Sequence, residues 1–144
     1  MRAQDIPVPE WFAASLLDLR EDVAEAAGEG KRVMLYFGQA GCPACEKLVR
    51  HTFGDPKIKT TARKHFLPLA INVWGDREVT WMDGKKLSEK QLAAMLKVQA
   101  TPTLMFLDEK GAIAQRLTGY LSPAQFEPRL DAAMGKVPAA RRTN

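Results

Sequence analysis

Cysteine and histidine are both scarce in this chain, with two of each among 144 residues. The cysteines, Cys42 and Cys45, stand only two residues apart. That excludes a framework of disulfides stapled across the fold, which carries more cysteines at wider spacing. A bridge between them closes so small a loop that it constrains the unfolded chain little, so stability is not its expected role. Long apolar runs are missing too. None approaches the ~20 residues of a membrane span, and membrane insertion is not expected. The opening stretch, Met1-Arg2-Ala3-Gln4-Asp5, has no apolar segment of the secretory kind. Two readings stay open: a cytoplasmic protein, or one whose signal has been removed. The net charge is only +4, and basic residues mix with acids except at Lys136, Arg141 and Arg142. No basic stripe with interleaved aromatics is present, so nucleic acid is not an expected partner. Internal repeats and low-complexity segments are absent as well.

What remains is a chain of one-domain length, 46% hydrophobic, able to bury a core. Residues 1–10, with Pro7 and Pro9, read as an extended lead-in; 11–135 as the domain; 136–144 as a flexible tail. From Trp11, the apolar residues Phe12, Leu16, Leu19, Val23 and Ala27 fall at helical spacing, up to Gly28 and Gly30. Val33–Phe37 predicts a buried strand. The loop Gly38–Gly41 follows, then a helix opened by Cys42-Pro43 and running to Thr52. Asp55-Pro56 caps another helix to about His65, and a strand follows whose proper start is expected after Pro68. Trp74–Lys86 is polar and reads as a small hairpin or long loop. Ser88 and Gln91 form a capping box for a helix to about Val98. Thr103–Leu107 and Ile113–Leu117 make a hairpin across Asp108–Gly111, and Ser122-Pro123 opens a last helix ending near Gly135. The class is α/β: a central mixed sheet covered by helices on both faces, with an N-terminal helix and an insert after the second main strand. Strands separated by helices predict parallel pairing, with the final hairpin as the antiparallel member.

A Cys-x-x-Cys pair directly after a strand and at the start of a helix has a chemical rationale. Unpaired backbone N–H groups and the helix dipole surround Cys42 with partial positive charge. This favours its thiolate, the attacking form. Cys45, one turn further in, is close enough to displace a partner held on Cys42. Competing readings are a half zinc site completed by His51 and His65, a pair of inert buried thiols, and a purely structural bridge. The zinc spacing matches no familiar finger, and the histidines read as ordinary surface or boundary residues. A second element, Ala100-Thr101-Pro102-Thr103, precedes a strand. A cis Thr101–Pro102 bond is the favoured reading; it lays the Thr101 backbone beside the cysteines, where an extended peptide can pair with it.

Together, Tyr36-Phe37, Gly41-Cys42-Pro43-Ala44-Cys45, Thr101-Pro102-Thr103 and Gly119 resemble the thioredoxin superfamily over roughly residues 31–134. Tyr36 to Cys45 and Gly75-Asp76-Arg77-Glu78-Val79-Thr80 are further similar to SoxW-type thioredoxins, bacterial periplasmic proteins associated with sulfur-compound oxidation. The resemblance implies a thioredoxin fold, Cys42 as nucleophile, Cys45 as resolving thiol, and Pro102 as the cis-proline facing the disulfide. It implies Gly41, Pro43, Thr101 and Gly119 as the rest of the surface that meets a partner. No cofactor or metal is implied. Three positions depart from the family pattern. Gly41 stands where tryptophan precedes the first cysteine, Tyr36 where a buried acid lies, and Ala70 near the place of that acid's lysine. The proton acceptor for Cys45 is thus left open between Glu46 and water.

The expected function is thiol–disulfide oxidoreduction, with reduction of protein disulfides favoured and a periplasmic setting implied by the resemblance. Expected partners are protein disulfides and an upstream dithiol electron donor, and the protein is expected to be a monomer. The alternative is a non-catalytic adaptor presenting the groove beside Pro102. Trp74, Trp81 and Met82 of the insert have two readings, as a partner surface or as local core.

Overall fold

The computed structural model describes residues 5–135; the predicted tail, 136–144, lies outside the described residues. Twelve segments follow one another: α1 (Leu19–Gly28), β1 (Arg32–Gly38), α2 (Pro43–Lys47), a π-helical turn (Leu48–Thr52), α3 (Pro56–His65), β2 (Phe66–Asn72), β3 (Glu78–Thr80), β4 (Lys86–Ser88), α4 (Glu89–Met95), β5 (Thr103–Leu107), β6 (Ile113–Thr118) and α5 (Pro123–Ala133). The main sheet has the order β2-β1-β5-β6, and β3-β4 form a separate hairpin. This is a thioredoxin fold. No helix among the described residues is long and apolar enough to cross a membrane.

The unbroken apolar run of β1 follows from its central place, because both of its faces are covered. Met34 and Tyr36, with Leu104 and Phe106 of β5, face a layer made by Cys45, Leu48, Ile58, Phe126 and Leu130. Val33, Leu35 and Phe37, with Met105 and Leu107, face Leu19, Val23, Val79 and Leu92. The first layer is aromatic. Phe53 meets Trp11, Phe12, Tyr36 and Phe126 at centroid distances of 5.8, 5.5, 6.4 and 5.8 Å.

Four features differ from the sequence-based expectation. The helix expected from Trp11 begins only at Leu19. Phe12 packs on the aromatic layer and Leu17 and Leu19 on the other, so the segment crosses the sheet edge instead of presenting one stripe. Ala13 N–H donates to the Pro68 carbonyl at 2.9 Å, Thr80 N–H to that of Leu17 at 2.8 Å, and Leu16 is left 97% exposed. Asp18, which accepts from Arg20 N–H, is the true cap. Second, β2 starts at Phe66, ahead of Pro68. The strand is an edge, and Pro68 turns its missing N–H outward, the side on which its carbonyl meets Ala13. Third, α4 ends at Met95, before the expected Val98.

The fourth difference builds the site. β5 pairs with β1 antiparallel, not parallel. The β3-β4 insert and the seven-residue α4 do not carry the chain back across the sheet. Thr103 therefore opposes Phe37, at the end where Gly38 opposes Asn72. The residues leading into β5 come to lie beside those leaving β1.

Candidate active site

Cys42 occupies the N-cap of α2 with extended backbone (φ −104°, ψ 101°), and Pro43 fills the first helical position. Gly41 reaches this geometry through a left-handed φ of +68°, which glycine adopts without penalty. Cys45 N–H donates to Cys42 Sγ at 3.1 Å, so sulfur stands where helix caps ordinarily use oxygen. The two cysteines form a disulfide, with Cα atoms 5.2 Å apart. Cys42 is 7% exposed and Cys45 fully buried, so Cys42 is the more accessible of the two.

The Thr101–Pro102 bond is cis. The Thr101 carbonyl lies 3.7 Å from Cys42 Sγ, and its hydroxyl donates to the same sulfur at 3.3 Å. Gly119, at φ +88°, donates its N–H to the Pro102 carbonyl at 2.8 Å, and a side chain there would point into open space. The structure thus gathers Gly41, Cys42, Pro43, Cys45, Thr101, Pro102 and Gly119 in one region. Pro102 is buried, while Gly41 and Pro43 are exposed.

Beneath the pair, Tyr36 is fully buried and donates its hydroxyl to the Pro7 carbonyl at 2.8 Å. Burial pushes this phenol well above its ordinary range, so it stays neutral. Glu46 points to solvent from the outer face of α2. His51 is exposed, and among the described residues no group of three or more His, Cys, Asp or Glu side chains is arranged to hold a metal ion.

Two residues outside the expected site set join it. Gln39 Nε2 donates to Thr101 Oγ1 at 2.8 Å, and Trp74 Nε1–H donates to Gln39 Oε1 at 2.8 Å. The three insert residues therefore divide: Trp74 reaches the site, whereas Trp81 and Met82 pack on the aliphatic layer. No spacing rule points to Gln39. Its signal is only that of a polar residue in the loop before the cysteines.

A cysteine pair that caps a helix after the central strand, with a prolyl loop against the less buried sulfur, defines a dithiol–disulfide centre. The chain belongs to the thioredoxin-like domain family, whose model matches residues 19–134. It is 30% identical over 123 residues to the thiol:disulfide interchange protein DsbD of Salmonella paratyphi A, covering 83% of this chain. It spans 20% of that relative's length. Among solved structures it is similar to a thioredoxin from Thermus thermophilus (TM-score 0.65, 26% identity, 87% of this chain and 90% of that one). The fold is also that of the oxidised C-terminal domain of Neisseria meningitidis DsbD (TM-score 0.60, 16% identity, 83% and 99% covered).

Proposed function

We propose that this chain is a thiol–disulfide oxidoreductase that reduces disulfides in other proteins. The observation that carries the reading is the Cys42–Cys45 disulfide at the start of α2, with the more exposed sulfur against the Thr101 carbonyl and hydroxyl. In the reduced protein, the Cys42 thiolate attacks one sulfur of a partner disulfide. A Cys42–partner bond forms and a partner thiolate leaves. Cys45, once deprotonated, attacks Cys42 Sγ, re-forms the internal disulfide and releases the second partner thiolate. Two electrons and two protons pass to the partner in total. The helix start stabilises the attacking thiolate in the first step.

The partner chain lies extended beside Thr101 and Pro102, with Gly41, Pro43 and Gly119 bounding the surface. A dithiol protein upstream returns the two electrons. The working unit is a monomer whose domain spans residues 11–135. The SoxW-like residues of the sequence and the relatives named thiol:disulfide interchange proteins both favour a periplasmic setting.

The test is the reduction potential, measured by equilibrating the protein in graded thiol–disulfide buffers, trapping free thiols and counting them by mass. One two-electron transition near about −270 mV, the thioredoxin range, is expected. A midpoint near about −120 mV would make the protein an oxidant instead. Absence of any transition would sink the redox reading in favour of an adaptor.

A further inference from the structure

Three hydrogen bonds in series end on the sulfur of Cys42. Trp74 Nε1–H donates to Gln39 Oε1 at 2.8 Å, Gln39 Nε2 to Thr101 Oγ1 at 2.8 Å, and Thr101 Oγ1 to Cys42 Sγ at 3.3 Å. The series has one possible polarity. An indole N–H only donates, so the amide atom facing Trp74 must be the oxygen. The amide nitrogen therefore faces Thr101 and donates to it. A threonine hydroxyl owns a single hydrogen, and one that accepts from Gln39 keeps that hydrogen for another acceptor. Cys42 Sγ is the acceptor in reach. The outermost residue thus sets the direction of the bond made at the innermost one.

Trp74 is itself held in place, although the residue is 63% exposed. Its backbone N–H donates to Asn72 Oδ1 at 2.9 Å, and the Lys90 ammonium sits 5.4 Å from the ring centroid. We propose that Trp74 and Gln39 are positioning residues that, through the Thr101 hydroxyl, hold a hydrogen-bond donor on the sulfur of Cys42. The proposal rests on the reading of Cys42 as the attacking thiolate and names what tunes it. A thiolate is a stronger acceptor than a thiol or a disulfide sulfur, so the donor favours the ionised, reduced form. The insert after β2 is then part of the site's electrostatics.

The experiment titrates the reduced protein by thiolate ultraviolet absorbance and by the pH dependence of alkylation, with the modified cysteine mapped by mass. Wild type is compared with Trp74→Phe, Gln39→Leu and the double variant. Trp74→Phe keeps an aromatic ring on the surface and removes only the donor. Each single change should raise the Cys42 midpoint by about half a unit, a roughly threefold gain in proton affinity. The double variant should shift no further than Gln39→Leu alone, since both act on one series. A Trp74→Phe midpoint equal to wild type, or shifts that add fully in the double variant, would overturn the relay. A different failure, in which wild-type Cys42 alkylates no faster than Cys45 at any pH, would remove the nucleophile reading itself and the relay with it.

Discussion

Helices α2 and α4 start in the same way with opposite consequences. At α4, Ser88 Oγ accepts from Gln91 N–H at 3.0 Å, and Gln91 Oε1 accepts from Ser88 N–H at 2.9 Å. The N-cap and the third helical residue satisfy each other, and the box is closed. At α2 the same two positions hold Cys42 and Cys45, and the reciprocal link is a sulfur–sulfur bond. Sulfur is a weak acceptor, so α2 gives up capping strength that α4 keeps. In exchange, its orphan N–H groups and dipole are left to stabilise charge on the cap atom itself. One helix start is finished as structure, and the other is left unfinished as chemistry.

The largest effect is expected from giving the start of α2 the kind of cap found at α4. Cys42→Ser supplies a hydroxyl cap of the kind at α4. We expect reduction of a protein disulfide substrate to fall to background. The stability of the reduced variant should stay within about 1 kcal/mol of reduced wild type. Turnover and denaturant unfolding, both measured on reduced protein, check the two halves. Retained turnover would show that Cys42 is not the attacking group.

The first residue of α4 tests how far the insert depends on that closed start. Glu89 is 2% exposed and accepts from Asn72 N–H at 2.9 Å, Arg77 N–H at 3.2 Å and the Arg77 guanidinium at 2.9 Å. It thereby ties the end of β2 and the insert to the helix. Glu89→Ala leaves these donors without their acceptor, and we expect a loss of about 3 kcal/mol in urea unfolding. Because Asn72 in turn holds the backbone of Trp74, the Cys42 thiolate midpoint should move in the same direction as in Trp74→Phe. Ser88→Ala sharpens the contrast. It should cost about 1 kcal/mol and leave the reduction potential unchanged, since that cap carries no chemistry.

The features legible in the sequence are those encoded within a few residues. Cys42-Pro43-Ala44-Cys45, the Asp55-Pro56 and Ser122-Pro123 starts and the box at Ser88 each rest on a spacing of three residues or fewer, and each forms. The features that escaped depend on which surfaces meet. Phe12, Leu16 and Leu19 sit at helical spacing, yet the chain between them crosses the sheet edge to serve both layers. The direction of β5 depends on how far the insert and α4 carry the chain, which apolar patterning does not measure. Gln39 and Thr101 are 62 residues apart, and only the reversed direction of β5 brings them together.

The smallest expected effect concerns a third helix start, that of α1, where charge is in excess. Asp18 caps the helix, and Glu21 and Asp22 follow in its first turn. Burial raises the Asp22 carboxyl above its ordinary value; Glu25, Asp18 and Glu21 add to this, and the Ser15 hydroxyl only partly opposes it. Ser15 Oγ donates to Asp22 Oδ2 at 2.8 Å, a bond that an asparagine oxygen can also accept. For an acid whose native value is raised, the native state binds more protons than the unfolded chain between the two values. Wild-type stability therefore falls as pH rises through that window. Asp22→Asn should melt slightly higher than wild type at neutral pH, with the advantage disappearing below the ordinary carboxylate range. Thermal midpoints on both sides of the window measure it. If the asparagine variant melts lower at neutral pH, the attraction between Asp22 and the helix N-terminus outweighs desolvation and like-charge repulsion. Negative charge would then be favoured at α1 despite the crowding, as we propose for the thiolate at α2.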